Sequence, residues 1–124
     1  MRRIFVEDSW PESWKISYRY DLEEIYGAGS SFGYAYAYQN RRRETLNLLN
    51  EVLPPGSRVL DIAAAQGNFS LLLAEIGYVV TWNDLRGELA DYVRMKHETG
   101  NIPYAPGNAC EINFPHLFAA FLCT

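Results

Sequence analysis

The apolar positions change their period along the chain, and each change marks an element. Val59, Leu60 and Ile62 form a short apolar run between Gly56 and a cluster of tiny residues, Ala63, Ala64, Ala65 and Gly67. Such a run predicts a strand buried on both faces. Leu71, Leu72, Leu73 and Ile76 then give a helical apolar face that Gly77 stops. Tyr78, Val79, Val80, Thr81 and Trp82 are β-prone and return the chain as a second strand. A strand-helix-strand unit of this length predicts a right-handed crossover and a parallel sheet. Asp61 and Asp84 stand at the ends of the two strands. Open α/β sheets hold ligands beyond that edge.

Upstream, residues 1–38 form an aromatic-rich N-terminal segment. Pro11 predicts the start of a short helix, with Ser9 as a nearby cap and Trp14, Tyr18 and Leu22 on its inner face. Gly27, Gly29, Ser30, Ser31 and Gly33 predict a flexible turn. The segment reads either as a lid over a ligand cleft or as a cover on the sheet edge. The cover is favoured, because burying apolar area is the common use of aromatic residues. Tyr36 to Val52 predicts a helix with Leu46, Leu49 and Leu53 at helical spacing. Arg41, Arg42 and Arg43 on its first half read as a solvated face paired with Glu44 and Glu51 rather than as a nucleic-acid contact. Pro54, Pro55, Gly56 and Ser57 end that helix.

Downstream, residues 87–99 predict a second crossover helix, with Leu89, Tyr92, Val93 and the stem of Lys96 toward the sheet and Gly100 as the stop. Ile102 to Ala105 predicts a third, short strand, weakened by Pro103 and Pro106. Residues 107–115 form a polar loop, and Leu117 to Cys123 a fourth strand. The alternation is half of a doubly wound α/β sheet. Residues 39–124 are therefore expected to form the ligand-binding domain, with 1–38 attached to it.

Bulk properties narrow the ligand. A net charge of -4 and a pI of about 5.1 argue against a general nucleic-acid or membrane-surface binder. No apolar run approaches the ~20 residues of a membrane span, and the N-terminus lacks the apolar region of a secretion signal. Cys110 and Cys123 have no CxxC spacing, which fits a reducing, cytoplasmic setting. His97 and His116 suggest no local metal pair. The closing run Leu-Phe-Ala-Ala-Phe-Leu-Cys-Thr suggests a fragment of a longer protein, since native termini rarely stop on a core strand.

The turn after the first strand selects further. A dinucleotide site of the NAD type needs Gly-x-Gly-x-x-Gly, and only Gly67 is present here. Asp61 at the strand end repels a pyrophosphate and suits a ligand with positive charge near the turn. No Gly-Lys-Ser/Thr phosphate loop is present. The stretch Val59-Leu60-Asp61-Ile62-Ala63-Ala64-Ala65-Gln66-Gly67-Asn68-Phe69-Ser70 resembles the first motif of class I S-adenosylmethionine-dependent methyltransferases. Against the form similar to the ribosomal RNA 2'-O-methyltransferases, Asp-Leu-Gly-Ala-Ala-Pro-Gly-Gly-Phe-Ser, it matches at Asp61, Ala64, Ala65, Gly67, Phe69 and Ser70.

The resemblance implies a Rossmann-like methyltransferase fold, incomplete after the fourth strand, with S-adenosyl-L-methionine as cofactor. It implies that Asp61, Ala63, Ala65 and Gly67 shape the methionine side and that Asp84 accepts the ribose hydroxyls. It places Leu85 on the adenine face. Gly107-Asn108-Ala109 resembles the family's Gly-Asp-Ala, so Asn108 and Ala109 are implied to meet the adenine edge. The chain departs from the family at three places. Ala63 replaces the first glycine, and its methyl group is accommodated if φ there stays negative. Asn108 replaces an acid, and Ala119 follows Phe118 where Phe-Asp is common. A purely structural reading makes Asp61 and Asp84 caps of the helices that follow them.

The implied activity is methyl transfer to an unidentified acceptor. The acidic balance favours a small molecule, with an RNA substrate left open. No general base stands out. Tyr34, Tyr36 and His116 are candidates for the mouth of the site. The alternatives are a non-catalytic remnant that pairs with a second copy through an exposed sheet edge, and an NAD-type oxidoreductase, which the turn disfavours.

Overall fold

The computed structural model describes residues 1–28 and 32–124, and for Phe32 the backbone alone. Its elements are α1 (Glu12–Glu24), α2 (Phe32–Val52), β1 (Arg58–Asp61), α3 (Asn68–Glu75), β2 (Val79–Trp82), α4 (Leu89–Lys96) and β3 (Ala120–Leu122). The chain divides into two compact units, Phe5–Val52 and Met1–Ile4 with Leu53–Thr124. The sequence division at residue 38 falls inside α2.

The first unit is a helical pair. Pro11, rather than Ser9, holds the N-cap position of α1, without a side-chain cap bond. Trp10 packs edge-on against Trp14 and Tyr18 at 5.9 and 5.8 Å. The buried face of α1 is more polar than its aromatic spacing predicts, since Ser17, Asp21 and Glu24 are buried beside Tyr18. Buried polar groups persist where partners satisfy them. Tyr34 donates its hydroxyl to Glu24, and the Gln39 side chain donates to the Glu24 carbonyl at 2.9 Å. α2 begins earlier than expected and takes in Gly33, which the sequence placed in a turn. The rest of that turn, residues 29–31, lies outside the described residues. Arg43 pairs with Glu44 at 3.2 Å, as the solvated-face reading expects.

The second unit is a parallel sheet in the order β2-β1-β3. Val59, Leu60, Val80 and Trp82 are buried, which accounts for the unbroken apolar runs. The expected third strand is not regular. Residues 101–105 run beside β2 through two isolated bridges, Val79 with Asn101 and Trp82 with Tyr104. Pro103 has no N–H to give a ladder, so its carbonyl accepts from Trp82 while Ala105 donates back to Trp82. The expected fourth strand shrinks to β3, which returns to the far side of β1. The direction of travel across the sheet therefore reverses between β1 and β3, and ligands of such sheets bind at that switch point.

α4 buries Leu89, Tyr92, Val93 and Lys96 completely. Lys96 was expected to bury only its stem. Instead Nζ donates to the Gln66 carbonyl at 2.7 Å and to Asn68 Oδ1 at 2.8 Å, and lies 4.9 Å from the Tyr92 ring centroid. A buried ammonium needs such partners to offset its desolvation. Among the described residues, no helix is long and apolar enough to cross a membrane.

Candidate functional site

Three loops meet beyond the carboxyl ends of the strands: residues 62–67 after β1, 83–88 after β2, and 105–109 after the proline-broken segment. The first is shaped by backbone handedness. Ala63 and Ala65 have φ of 55° and 48°, and Gly67 has φ of 72°. All three lie in the left-handed region that alanine enters at a cost of roughly 1–2 kcal/mol. The condition that φ stays negative at Ala63 is thus not met. The glycine-like conformation is retained by a residue that resists it. Gly67 is required for space as well, because a Cβ there would stand 2.7 Å from both methyl carbons of Val93. The turn is closed by Gly67 N–H donating to the Ala64 carbonyl at 2.8 Å.

Asp61 closes β1 and is 1% exposed. Ser70 donates its hydroxyl to Oδ2 at 2.6 Å, and its backbone also hydrogen-bonds the carboxylate. Gly67 and not Asp61 holds the N-cap position of α3, but through Ser70 the Asp61 carboxylate ties the first turn of α3 to the strand end. Its Oδ1 is buried and has no hydrogen-bond partner. Burial pushes the Asp61 carboxyl up to about 7, against the pull of the Ser70 hydrogen bonds and with a smaller push from the charge on Asp84.

Asp84 does not cap α4, whose N-cap position is Glu88. Its Oδ2 accepts the Ala65 N–H at 2.9 Å and Arg86 Nη2 at 3.1 Å. Its Oδ1 accepts the Arg86 N–H at 2.9 Å and Nε at 3.0 Å. Burial alone would raise its pKa. The bonds from Arg86 and from the Ala65 N–H outweigh it and hold the carboxyl below the ordinary value. One carboxylate thus ties the first loop to the second.

The third loop is tied by a residue that the sequence did not single out. Asn83 donates from Nδ2 to the carbonyls of Ala105 at 2.8 Å and Gly107 at 3.0 Å. Gly107 N–H in turn donates to the Asp84 carbonyl at 2.9 Å. Asn108 follows, exposed, with Oδ1 accepting the Cys110 N–H at 3.0 Å. Ala109 is half-buried beside it, and Leu85 is 76% exposed at the same edge. Arg86 and Lys96 were likewise missed as site-shaping residues. The available signal was the doublet Asn83-Asp84, two polar residues closing an apolar strand.

The geometry brings Ala63, Ala65, Gly67, Asp84, Asn108 and Ala109 to one edge, with Asp61 beneath the first loop. The chain has the fold of class I S-adenosylmethionine-dependent methyltransferases. Two solved structures of magnesium protoporphyrin IX methyltransferase from Synechocystis PCC 6803 align with it. One, with bound S-adenosylhomocysteine, gives a TM-score of 0.68 at 16% identity over 90% of this chain and 51% of that one. The other, with bound S-adenosylmethionine, gives 0.66 at 16% identity over 94% and 64%. A TehB-like methyltransferase from Corynebacterium glutamicum gives 0.54 at 19% identity over 76% and 56%. The chain therefore spans about half to two thirds of the length of these structures. No protein-family model matches the sequence, and no match was found among curated proteins.

Of the mouth candidates, His116 belongs to the same unit as the three loops. Tyr34 and Tyr36 belong to the helical unit, where Tyr34 is half-buried against Glu24 and Tyr36 is exposed. Burial and the Glu24 carboxylate push the Tyr34 phenol well above its ordinary pKa, which keeps it protonated near neutral pH. His116 lines a largely apolar cavity of about 250 Å³ with Thr81, Tyr104, Ile112, Phe114 and Phe118. None of the expected cofactor residues lines that cavity.

Proposed function

We propose that this chain binds S-adenosylmethionine across the three loops and forms the cofactor-binding part of a methyltransferase, with a small molecule as the favoured acceptor. The observation that carries the reading is the joint geometry of the left-handed turn at Ala63, Ala65 and Gly67 and the Asp84 carboxylate bonded to the Ala65 N–H. The turn lets a ligand approach the backbone closely. The partnerless Oδ1 of Asp61 fits a site that takes a cationic ligand nearby. The net charge of -4 supports a small acceptor over bulk nucleic acid. The free, exposed Cys110 and Cys123 belong with a cytoplasmic setting.

When bound, S-adenosylmethionine supplies a methyl group already activated on a sulfonium. The protein's part is orientation and exclusion of water. Asp84 has about four acceptor positions, and the Ala65 and Arg86 groups fill them. Two ribose hydroxyls must therefore replace Arg86 Nε and Nη2. The Arg86 side chain is 54% exposed and free to swing outward, while both backbone N–H donors stay. Leu85 then covers one face of the adenine, and Asn108 and Ala109 meet its edge.

Titration calorimetry tests the reading. The intact chain is expected to bind S-adenosylhomocysteine, and Asp84→Ala to weaken it by about tenfold to a hundredfold, as loss of hydrogen bonds to a charged group implies. No binding at millimolar ligand would sink the cofactor assignment. Equal binding by both proteins would sink the ribose role.

A further inference from the structure

Asn83 makes more inter-loop bonds than its place in the sequence suggests. It is 2% exposed. Both Nδ2 hydrogens are committed, to the carbonyls of Ala105 and Gly107. Its N–H donates to the Asp61 carbonyl at 3.0 Å, and its own carbonyl accepts the Ala64 N–H at 2.9 Å. One residue is therefore bonded to the end of β1, to the turn after it, and to the loop of Asn108.

That last loop needs the help. Pro103 and Pro106 have no N–H, and residues 101–105 join β2 through isolated bridges rather than a ladder. A loop after a regular strand inherits its position from the ladder. Here the side chain of Asn83 reinforces a pairing thinned by Pro103, in which Val80 and Trp82 donate to Asn101 and Pro103, Ala105 donates to Trp82, and Gly107 donates to the Asp84 carbonyl. We propose that Asn83 is a positioning residue that sets the selectivity of the site for the base of its nucleoside ligand. The inference rests on the adenosyl-binding reading above.

The chemistry is a donor and acceptor match. Asn108 Oδ1 is oriented by the Cys110 N–H and keeps a second lone pair for a 6-amino group. The Ala109 N–H offers a donor to the neighbouring ring nitrogen. A 6-oxo purine reverses both partners: it presents an acceptor to Oδ1 and a protonated ring nitrogen to the N–H. Rejection requires that the loop cannot retreat by even an ångström, because a mobile loop relieves both clashes. Asn83 supplies that restraint by holding Gly107 together with the Asp84 backbone carbonyl, while the Asp84 carboxylate holds the ribose.

The experiment measures dissociation constants of S-adenosylhomocysteine, S-inosylhomocysteine and 2'-deoxy-S-adenosylhomocysteine by calorimetry. The proteins are the intact chain, Asn83→Leu and Asn83→Ser. The intact chain is expected to prefer the adenosyl over the inosyl ligand by about tenfold, the worth of one mismatched hydrogen bond. Asn83→Leu is expected to shrink that preference to within about threefold and to leave the 2'-deoxy penalty unchanged. Asn83→Ser keeps one donor and is expected to lie between, which preserves the test if Asn83→Leu does not fold. An unchanged base preference in either folded variant overturns the role of Asn83 and leaves the adenosyl reading standing. Equal loss for all three ligands also overturns it, since that is the mark of general destabilisation. Failure of the intact chain to bind any of the three overturns both.

Discussion

The loop after β1 and the loop after residue 105 sit at the same sheet edge and are built in opposite ways. The first follows a strand paired on both sides and is set by backbone handedness at Ala63, Ala65 and Gly67. The second follows a segment interrupted by Pro103, contains Pro106 itself, and is tied by the side chain of Asn83, the residue just past β2. A loop held by φ angles tolerates changes around it but not at its own positions. A loop held by another residue's amide is indifferent to much of its own sequence and vulnerable at a distance. The first device begins in local handedness and is then tied to Asn83 and Asp84, whereas the second is tertiary from the start.

The largest expected effect lies in the first loop. Gly67→Ala places a methyl group 2.7 Å from Val93 at a positive φ. Overpacking and left-handed strain together are expected to cost about 2–4 kcal/mol, read as a lower urea midpoint. A loss under 1 kcal/mol would mean that α4 yields easily and that the turn is not locally determined.

Next in size is the pH response of Asp61. Its folded carboxyl is raised to about 7 from an ordinary 3.8. Below pH 4 both states hold the proton. Between about 4 and about 7 the unfolded chain releases it and the folded chain keeps it. Stability from this group therefore falls as pH rises through that window, by on the order of a few kcal/mol, and is level above it. Asp84 acts oppositely, because its lowered pKa makes its contribution vanish only at lower, more acidic pH. Asp61→Asn is expected to remove the loss between about pH 4 and about 7 in urea melts, and an unaltered slope would contradict the burial argument.

Smaller again is Arg86→Ala. Freeing Asp84 from a half-exposed guanidinium is expected to tighten S-adenosylhomocysteine by about twofold to fivefold, the worth of an exposed ion pair. Weaker binding would show that Arg86 contacts the ligand rather than competing with it. The smallest effect is expected from Ala63→Gly and Ala65→Gly. Each relieves a left-handed alanine but adds unfolded-chain entropy, leaving a net gain of about 0.5 kcal/mol in thermal melts. Destabilisation by either would show that its methyl group packs usefully.

Much of the sheet was legible because its signals are local. The apolar runs of β1 and β2, Leu71 and Leu73 of α3 and the face of α4 state their burial in their own spacing, whereas Ile76, expected on the α3 face, lies past the helix and is exposed. The third strand was overread at Ile102 to Ala105, where hydrophobic content suggested a ladder that the missing proline N–H cannot supply. The polar face of α1 was not legible at all: the Glu24 carboxylate is buried with Tyr34 of α2 donating to it, a partner ten residues away.

The sequence by itself determined the parallel α/β unit and the two acids at strand ends, because side-chain periodicity and turn chemistry act within a few residues. Only the tertiary structure decided what those acids do. Asp61 became a buried carboxyl under α3. Asp84 became the link from turn to second loop, and Asn83 the support of the third. The reason is that hydrogen-bond partners are chosen by distance in space. The bonds that hold this edge together join residues about twenty positions apart, which no local spacing records.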